Sequence, residues 1–236
     1  MATRPSPTTT QKPLGPPKPQ LSIHPTATIS ENSYFQGTYH VSIGAGTVVH
    51  PRAKFLAFEG PISIGEGCII GEKSIIGGPL SSSISKPTSS TPDTGDPEFN
   101  DALTFHPDKS ITIIENSVAI GPLTTISAGS HIYSAAAIDT SAVLGKNVRV
   151  GKHSKVCASC IIPEGDIIDD WTVIWSGGGG MKLHRRKRVH GKDLEESTDG
   201  KGGFAPGLVE TGRLVVLNRE RESLAKLIGI GAGKKK

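Results

Sequence analysis

The sequence predicts an all-β solenoid, a parallel β-helix of hexapeptide repeats six to seven triangular coils tall, followed by a C-terminal α-helix. Three observations predict it. Ile114, Ile120, Ile126, Ile132, Ile138, Leu144, Val150, Val156, Ile162, Ile168 and Ile174 fall six residues apart without a miss. That spacing matches neither the 3.6-residue period of a helix nor simple strand alternation. Two residues before each stand Thr112, Val118, Thr124, Ser130, Ala136, Ala142, Val148, Ser154, Cys160, Asp166 and Thr172, nearly all small or β-branched. Alternation along an extended segment points both columns inward, one bulky and one compact. The same frame recurs upstream in sets of three: Ile23, Ile29, Phe35, then Ile43, Val49, Phe55, then Ile64, Ile70, Ile76. Each hexad is then one short strand and a bend, three hexads close a coil, and neighbouring coils bury what no single hexad can.

The elements follow in chain order. Residues 1–20 are Pro- and Thr-rich with almost no apolar content, which predicts a disordered arm. The β-helix spans 21–176. Its frame slips by two residues before Ile43, by three before Ile64, and by a long inserted loop over 77–110. All three slips fall after the third strand of a coil, so one edge of the triangle carries the loops. With strands about 4.8 Å apart, the prism should stand roughly 30 Å tall. The inserted loop begins Ser/Pro/Thr-rich and turns acidic at Asp93, Asp96, Glu98 and Asp101; a loop of this length is either a slack connector or a partner contact.

Residues 177–206 read as a Gly-rich basic loop (SGGGGMKLHRRKRVHGK). Block charge of this kind favours a solvated segment, with polyanion binding as the sharper alternative. Over 207–229, Leu214, Leu217, Leu224, Leu227 and Ile228 recur at near-helical spacing, predicting an amphipathic helix packed on the flank of the prism. Residues 230–236 form a basic tail.

Composition narrows the function. The 236 residues carry a formal charge of +4 and few aromatics, which argues against a nucleic-acid binder. Three cysteines suit a reducing compartment. The first twenty residues lack the apolar core of a signal peptide, and no stretch approaches the roughly 18 apolar residues that span a bilayer. The expectation is a soluble cytoplasmic protein with no membrane insertion.

Hexapeptide β-helices commonly host acyltransferases or zinc enzymes like the γ-class carbonic anhydrases, and both were tested against the histidines. A catalytic zinc wants three protein ligands and an open position, yet the sequence has no His-x4-His. His131 and His153 occupy different offsets within their hexads, His24 and His50 lie on different faces, and His184 and His190 sit among cations. For an acyltransferase base, His106 in the inserted loop is the one conveniently placed histidine. Cys157 and Cys160 form a C-x-x-C, but the hexad places Cys160 in the compact inward column, and a redox pair needs a different setting. No catalytic, cofactor-binding or metal-ligating residue is therefore assigned, and no cofactor is expected. The partner-contact candidates are Trp171 and Trp175 near the last coil and Asp93, Asp96 and Glu98 in the insertion.

Three stretches carry a family resemblance: VSIGAGTVVHPRAKFLAFEGPISIGEGCIIGEKSIIGG, the insertion motif TPDTGDPE, and the exit IIPEGDIIDDWTVIW ahead of a C-terminal helix. Together they resemble the dynactin subunit 6 family over residues 21–176 and, more loosely, 207–236. The resemblance implies a left-handed coil, against the usual crossover rule. It also implies a non-catalytic adaptor subunit of the dynactin pointed-end complex. Such a subunit forms a heterodimer with dynactin subunit 5, beside subunit 4 and the pointed-end actin-related protein, and indirectly supports cargo selection by dynein and microtubule-based transport at the cytoskeleton. The Pro-rich arm and residues 177–206 depart from that family's pattern. The alternative is a hexapeptide-repeat enzyme, an acyltransferase or a γ-carbonic-anhydrase-like protein.

Overall fold

The computed structural model describes residues 17–78, 111–177, 182–188 and 206–232, with helix side chains described over 210–229. Parallel strands form three flat faces. Face A stacks β1 (Leu21–Ile23), β4 (Val41–Ile43), β7 (Ile62–Ile64), β10 (Thr112–Ile114), β13 (His131–Ile132), β16 (Arg149–Val150) and β19 (Ile167–Ile168). Face B stacks β2 (Thr28–Ile29), β5 (Val48–Val49), β8 (Ile69–Ile70), β11 (Ala119–Ile120), β14 (Ala137–Ile138), β17 (Lys155–Val156) and β20 (Thr172–Gly177). Face C stacks β3 (Tyr34–Gly37), β6 (Lys54–Ala57), β9 (Ile75–Ile76), β12 (Thr125–Ile126), β15 (Val143–Leu144) and β18 (Ile161–Ile162). The result is a parallel β-solenoid of six turns and two further strands.

The register keeps the hexad frame. Ile64 pairs with Ile114, Ile114 with Ile132 and Ile132 with Val150, so each bulky residue stands on its counterpart in the coil below. The interior is a continuous aliphatic column from Ile43 to Ile174. At its N-terminal end Phe35 stacks on Phe55 with centroids 4.7 Å apart. The compact column is buried as well, and its hydroxyls bond to main-chain carbonyls: Thr47 to Gly65 at 2.7 Å, Ser154 to Asp169 at 2.6 Å and Ser74 to Gly71 at 2.8 Å. A small polar side chain is tolerated there because each hydroxyl finds an acceptor. Asp166, near the C-terminal end, is the departure; it is half-buried and pairs with Arg185.

The corners impose a backbone demand. At the corner between faces A and B, Gly46, Gly67, Ser117, Ala135, His153 and Trp171 all have φ between 56° and 64°. Five of the described residues at the corner between faces B and C do likewise: Arg52, Lys73, Leu123, Ser141 and Ser159. From the second coil on, the chain turns left-handed at each A/B and B/C bend, although most residues disfavour that region. Close stacking adds a second constraint at Gly71, where an added Cβ would lie 2.5 Å from the Gly121 carbonyl carbon. The three irregular connections, β3 to β4, β6 to β7 and β9 to β10, all leave face C for face A.

Three expectations are corrected. Residues 182–187, expected as part of the basic loop over 177–206, form strand β21 (Lys182–Lys187), antiparallel to β20. The open end of a prism needs cover, and alternation supplies it. Leu183 packs against the core, and Arg185 reaches across to Asp166 and the Ile167 carbonyl on face A. Residues 17–20, expected to belong to the arm, are tied to the first coils: the Gly37 N–H donates to the Pro17 carbonyl at 3.0 Å and the Val41 N–H to that of Gln20 at 2.9 Å. The remainder of the arm, the insertion from 79 to 110, and residues 233–236 of the tail lie outside the described residues.

The third correction concerns one residue of helix α1 (Pro206–Ala232), whose packed stripe holds the expected Leu214, Leu217, Leu224 and Ile228 together with Glu210, Arg213 and Arg221. Glu210 and Leu217 are buried, whereas Leu227, expected on the packed face, is 68 % exposed. The reason is the surface beneath it. Much of α1 lies along the A/B corner, where carbonyls point outward: the Arg213 guanidinium donates to the Ala135 carbonyl, and Arg221 Nη1 to that of Gly46 at 3.3 Å. Leu224 faces a hollow of about 220 Å³ over Ile69, Ala119 and Ala137.

Candidate protein interface

The outward side chains determine what each face can do. On face A, Ile113, His131, Arg149 and Ile167 share one registered column above a groove of about 500 Å³. His131 Nε2–H donates to Glu115 at 3.0 Å, and the Ser134 hydroxyl and N–H donate to the other carboxylate oxygen at 2.5 and 3.0 Å. Burial raises the Glu115 pKa, but these donors outweigh it and hold the carboxyl below its usual range. Tyr133 stacks on the His131 ring at 3.9 Å.

Face C is different. Ile75, Thr125, Val143 and Ile161 form an outward column in strict register. Val143 and Ile161 are exposed, the latter to 57 %, and Leu123 at the adjoining corner is 53 % exposed. Below them, Tyr34, Lys54, Leu56 and Lys73 line a shallow groove of about 730 Å³. Flat, regularly spaced β-branched side chains left exposed form a candidate contact surface for another protein. The N-terminal end adds Leu21, Ile23 and Tyr34, all exposed, along the edges of the first coil.

Of the sequence-predicted contact residues, the two tryptophans separate. Trp175 projects outward from β20, is 38 % exposed, and stacks on His184 at 5.6 Å. Trp171 sits at the A/B corner, half-buried, stacked on His153 at 4.2 Å. His153 Nδ1–H in turn donates to Glu210 at 2.8 Å, and Arg213 Nη2 donates to the same oxygen at 2.5 Å. Burial raises the Glu210 pKa; the hydrogen bonds from Arg213 and His153 outweigh it and hold the carboxyl below its ordinary 4.5. Trp171 therefore belongs to a latch that fastens α1. Asp93, Asp96 and Glu98 lie outside the described residues. Sequence reasoning missed the face C column, although its signal, Ile or Val immediately before the inward aliphatic at Ile75, Val143 and Ile161, was available.

Among the described residues, no three His, Cys, Asp or Glu side chains are grouped to hold a metal ion. His106 and His190 lie outside them. The three cysteines are free thiols. Burial pushes the Cys68 thiol up to about 11 and raises that of Cys157, which disfavours the nucleophilic thiolate. No described helix is long and apolar enough to cross a membrane.

Comparison with known proteins agrees with the geometry. No family model matches the chain. It is 33 % identical over 135 residues to dynactin subunit 6 of Danio rerio, an alignment covering 57 % of this chain and 60 % of that protein. It is 30 % identical over 165 residues to dynactin subunit 6 of Xenopus tropicalis, covering 70 % of each. Among solved structures, a hexapeptide transferase family protein from Anaplasma phagocytophilum superposes with a TM-score of 0.56 at 13 % identity, covering 89 % of this chain and 94 % of that one. The last likeness establishes the solenoid fold and nothing about activity. At 30 % identity over 70 % of the Xenopus tropicalis protein's length, the chain belongs to the dynactin subunit 6 family.

Proposed function

We propose that the chain is a non-catalytic structural and adaptor subunit of a dynactin pointed-end complex, cytoplasmic and cytoskeletal, supporting dynein cargo selection. The observation that carries this reading is the registered outward column Ile75, Thr125, Val143, Ile161 on face C. A second β-helix has flat faces of the same pitch, so dynactin subunit 5 is the partner that such a column suits, each coil of one prism meeting a coil of the other at the strand spacing of about 4.8 Å. Subunit 4 and the pointed-end actin-related protein then contact the remaining surfaces. Family membership supports the assembly. The raised thiols of Cys68 and Cys157 support a passive role for those cysteines.

The test is affinity purification of the tagged chain from its own cytosol, followed by mass spectrometry. Recovery of dynactin subunits with the wild type, and their loss with V143K/I161K, is the expected result. Recovery of the chain alone, with either sequence, would overturn the reading.

One observation favours a second reading, transferase activity. His131 is held by a carboxylate over a groove that also contains Arg149, an arrangement compatible with a general base. Acetyl-coenzyme A turnover that H131A abolishes would establish it.

A further inference from the structure

The basic strand β21 has no part in the reading above. We propose that its outer edge, with the face it shares with Trp175, receives an extended acidic peptide of a partner protein, added to sheet B as a further strand. The strand has two sides with separate tasks. Lys187 stands opposite Thr172 and Arg185 opposite Ile174, so with Leu183 they lie on the inward side. Arg186 stands opposite Val173 and His184 opposite Trp175, so with Lys182 they lie on the outward side.

The edge is open. The Arg188 N–H donates to the Trp171 carbonyl at 2.7 Å, which sets the phase of the ladder. Antiparallel alternation then turns the main-chain groups of Leu183, Arg185 and Lys187 away from β20. Among the described residues no strand pairs with that side. A row of unsatisfied donors and acceptors is a template for strand addition.

Charge selects the occupant. Arg185 is neutralised by Asp166, and Arg188 lies 3.8 Å from Glu210. Lys182, Arg186 and Lys187 are exposed, and among the described residues no carboxylate forms a salt bridge with them. A second copy of this chain would bring the same cations edge to edge and be repelled. A strand with acidic side chains at alternate positions repeats at roughly 6.5 to 7 Å, the spacing of Lys182, His184 and Arg186. The apolar residues between those carboxylates then fall on the opposite side of the sheet, the side of Leu183, which packs against the core. Nucleic acid is a poorer match, because it would use the charge but leave the main-chain edge unpaired.

The test uses the full-length chain and a fluorescein-labelled peptide of about ten residues alternating Glu and Val, read by fluorescence polarisation. Three comparison probes accompany it: the same peptide with alternate Val replaced by Pro, a Lys/Val peptide, and a single-stranded RNA of equal charge. Expected are saturable binding of the Glu/Val peptide, a loss of about tenfold or more with K182E/R186E, and a similar loss for the Pro peptide, which cannot complete the ladder. The neutral pair K182Q/R186Q, with Leu183 and Arg185 intact, should weaken binding in the same direction and guards against misfolding of the charge reversal. Equal binding of the Pro peptide, equal or tighter binding of the RNA, unchanged binding by both double variants, or no binding at all would each overturn the proposal.

Discussion

Trp171 lies flat on His153 across one coil, ring centroids 4.2 Å apart and planes within 15°, and His153 hands that contact on to Glu210 of α1. The same two positions carry φ of 60° and 56°, so the corner that turns the chain also presents the ring. Removing the ring should loosen the helix and spare the prism. For W171A we expect a loss of about 1 kcal/mol, the worth of an aromatic stack, and about fivefold faster amide exchange over residues 210–221. W175A, acting on an outward ring beyond the latch, should leave that exchange unchanged. Hydrogen-exchange mass spectrometry decides between them.

Glu210 makes the latch sensitive to acid. Its folded pKa lies below the ordinary 4.5 because the donors from Arg213 and His153 outweigh burial. A depressed carboxylate contributes stability that is complete above the unfolded pKa and lost as pH falls through the folded one. Melting temperature should therefore fall as pH drops below 4.5. In E210Q that slope should be shallower, with a cost of about 2 kcal/mol at neutral pH from the lost charged hydrogen bonds. Glu115 is also held low, so part of the slope should survive; thermal melts from about pH 7 to about pH 3 measure both.

The interior tolerates little loss of volume. Ile132 is fully buried between Ile114 above and Val150 below, and its neighbours on either side are fixed by ladder bonds. I132A should cost about 2 to 5 kcal/mol, the range for a large-to-small core change that leaves a cavity. Chemical denaturation followed by circular dichroism checks it.

Leu123 is a local misfit. It holds φ of 59° while 53 % exposed, so its side chain gains little burial for a conformation that costs a non-glycine residue about 1 kcal/mol or more. L123N should raise the melting temperature, since Asn tolerates that region. If Leu123 belongs to the face C interface, the same variant should bind partner less well, separating stability from docking.

Much of the fold was legible because burial on both columns writes itself into the sequence. Ile, Leu and Val recur at the inward position in every coil, and the slips before Ile43, Ile64 and Ile114 fall at one corner because only there can the stack admit extra residues. What stayed hidden has physical causes. Strand β21 was masked by its charge: Leu183 is the single apolar residue of LHRRK that marks an inward side, and Arg185 caps the core by reaching Asp166. Helix α1 was legible as a helix and in its apolar positions Leu214, Leu217, Leu224 and Ile228, but not in the polar part of its packing, where outward carbonyls such as those of Ala135 and Gly46 call for Arg213 and Arg221. The corner residues could not be read at all; Arg52, Lys73, Leu123 and Trp171 carry no sign of a left-handed backbone. Trp171 and Trp175 were singled out by residue type alone, and only the structure separates the ring stacked on His153 from the outward one on β20.

The most direct measurement is the mass of the chain co-expressed with dynactin subunit 5, taken by size-exclusion chromatography with light scattering. A one-to-one heterodimer that V143K/I161K dissolves, with the variant's melting temperature unchanged, is the predicted result. A homotrimer of this chain that ignores subunit 5 and turns over acetyl-coenzyme A would contradict it.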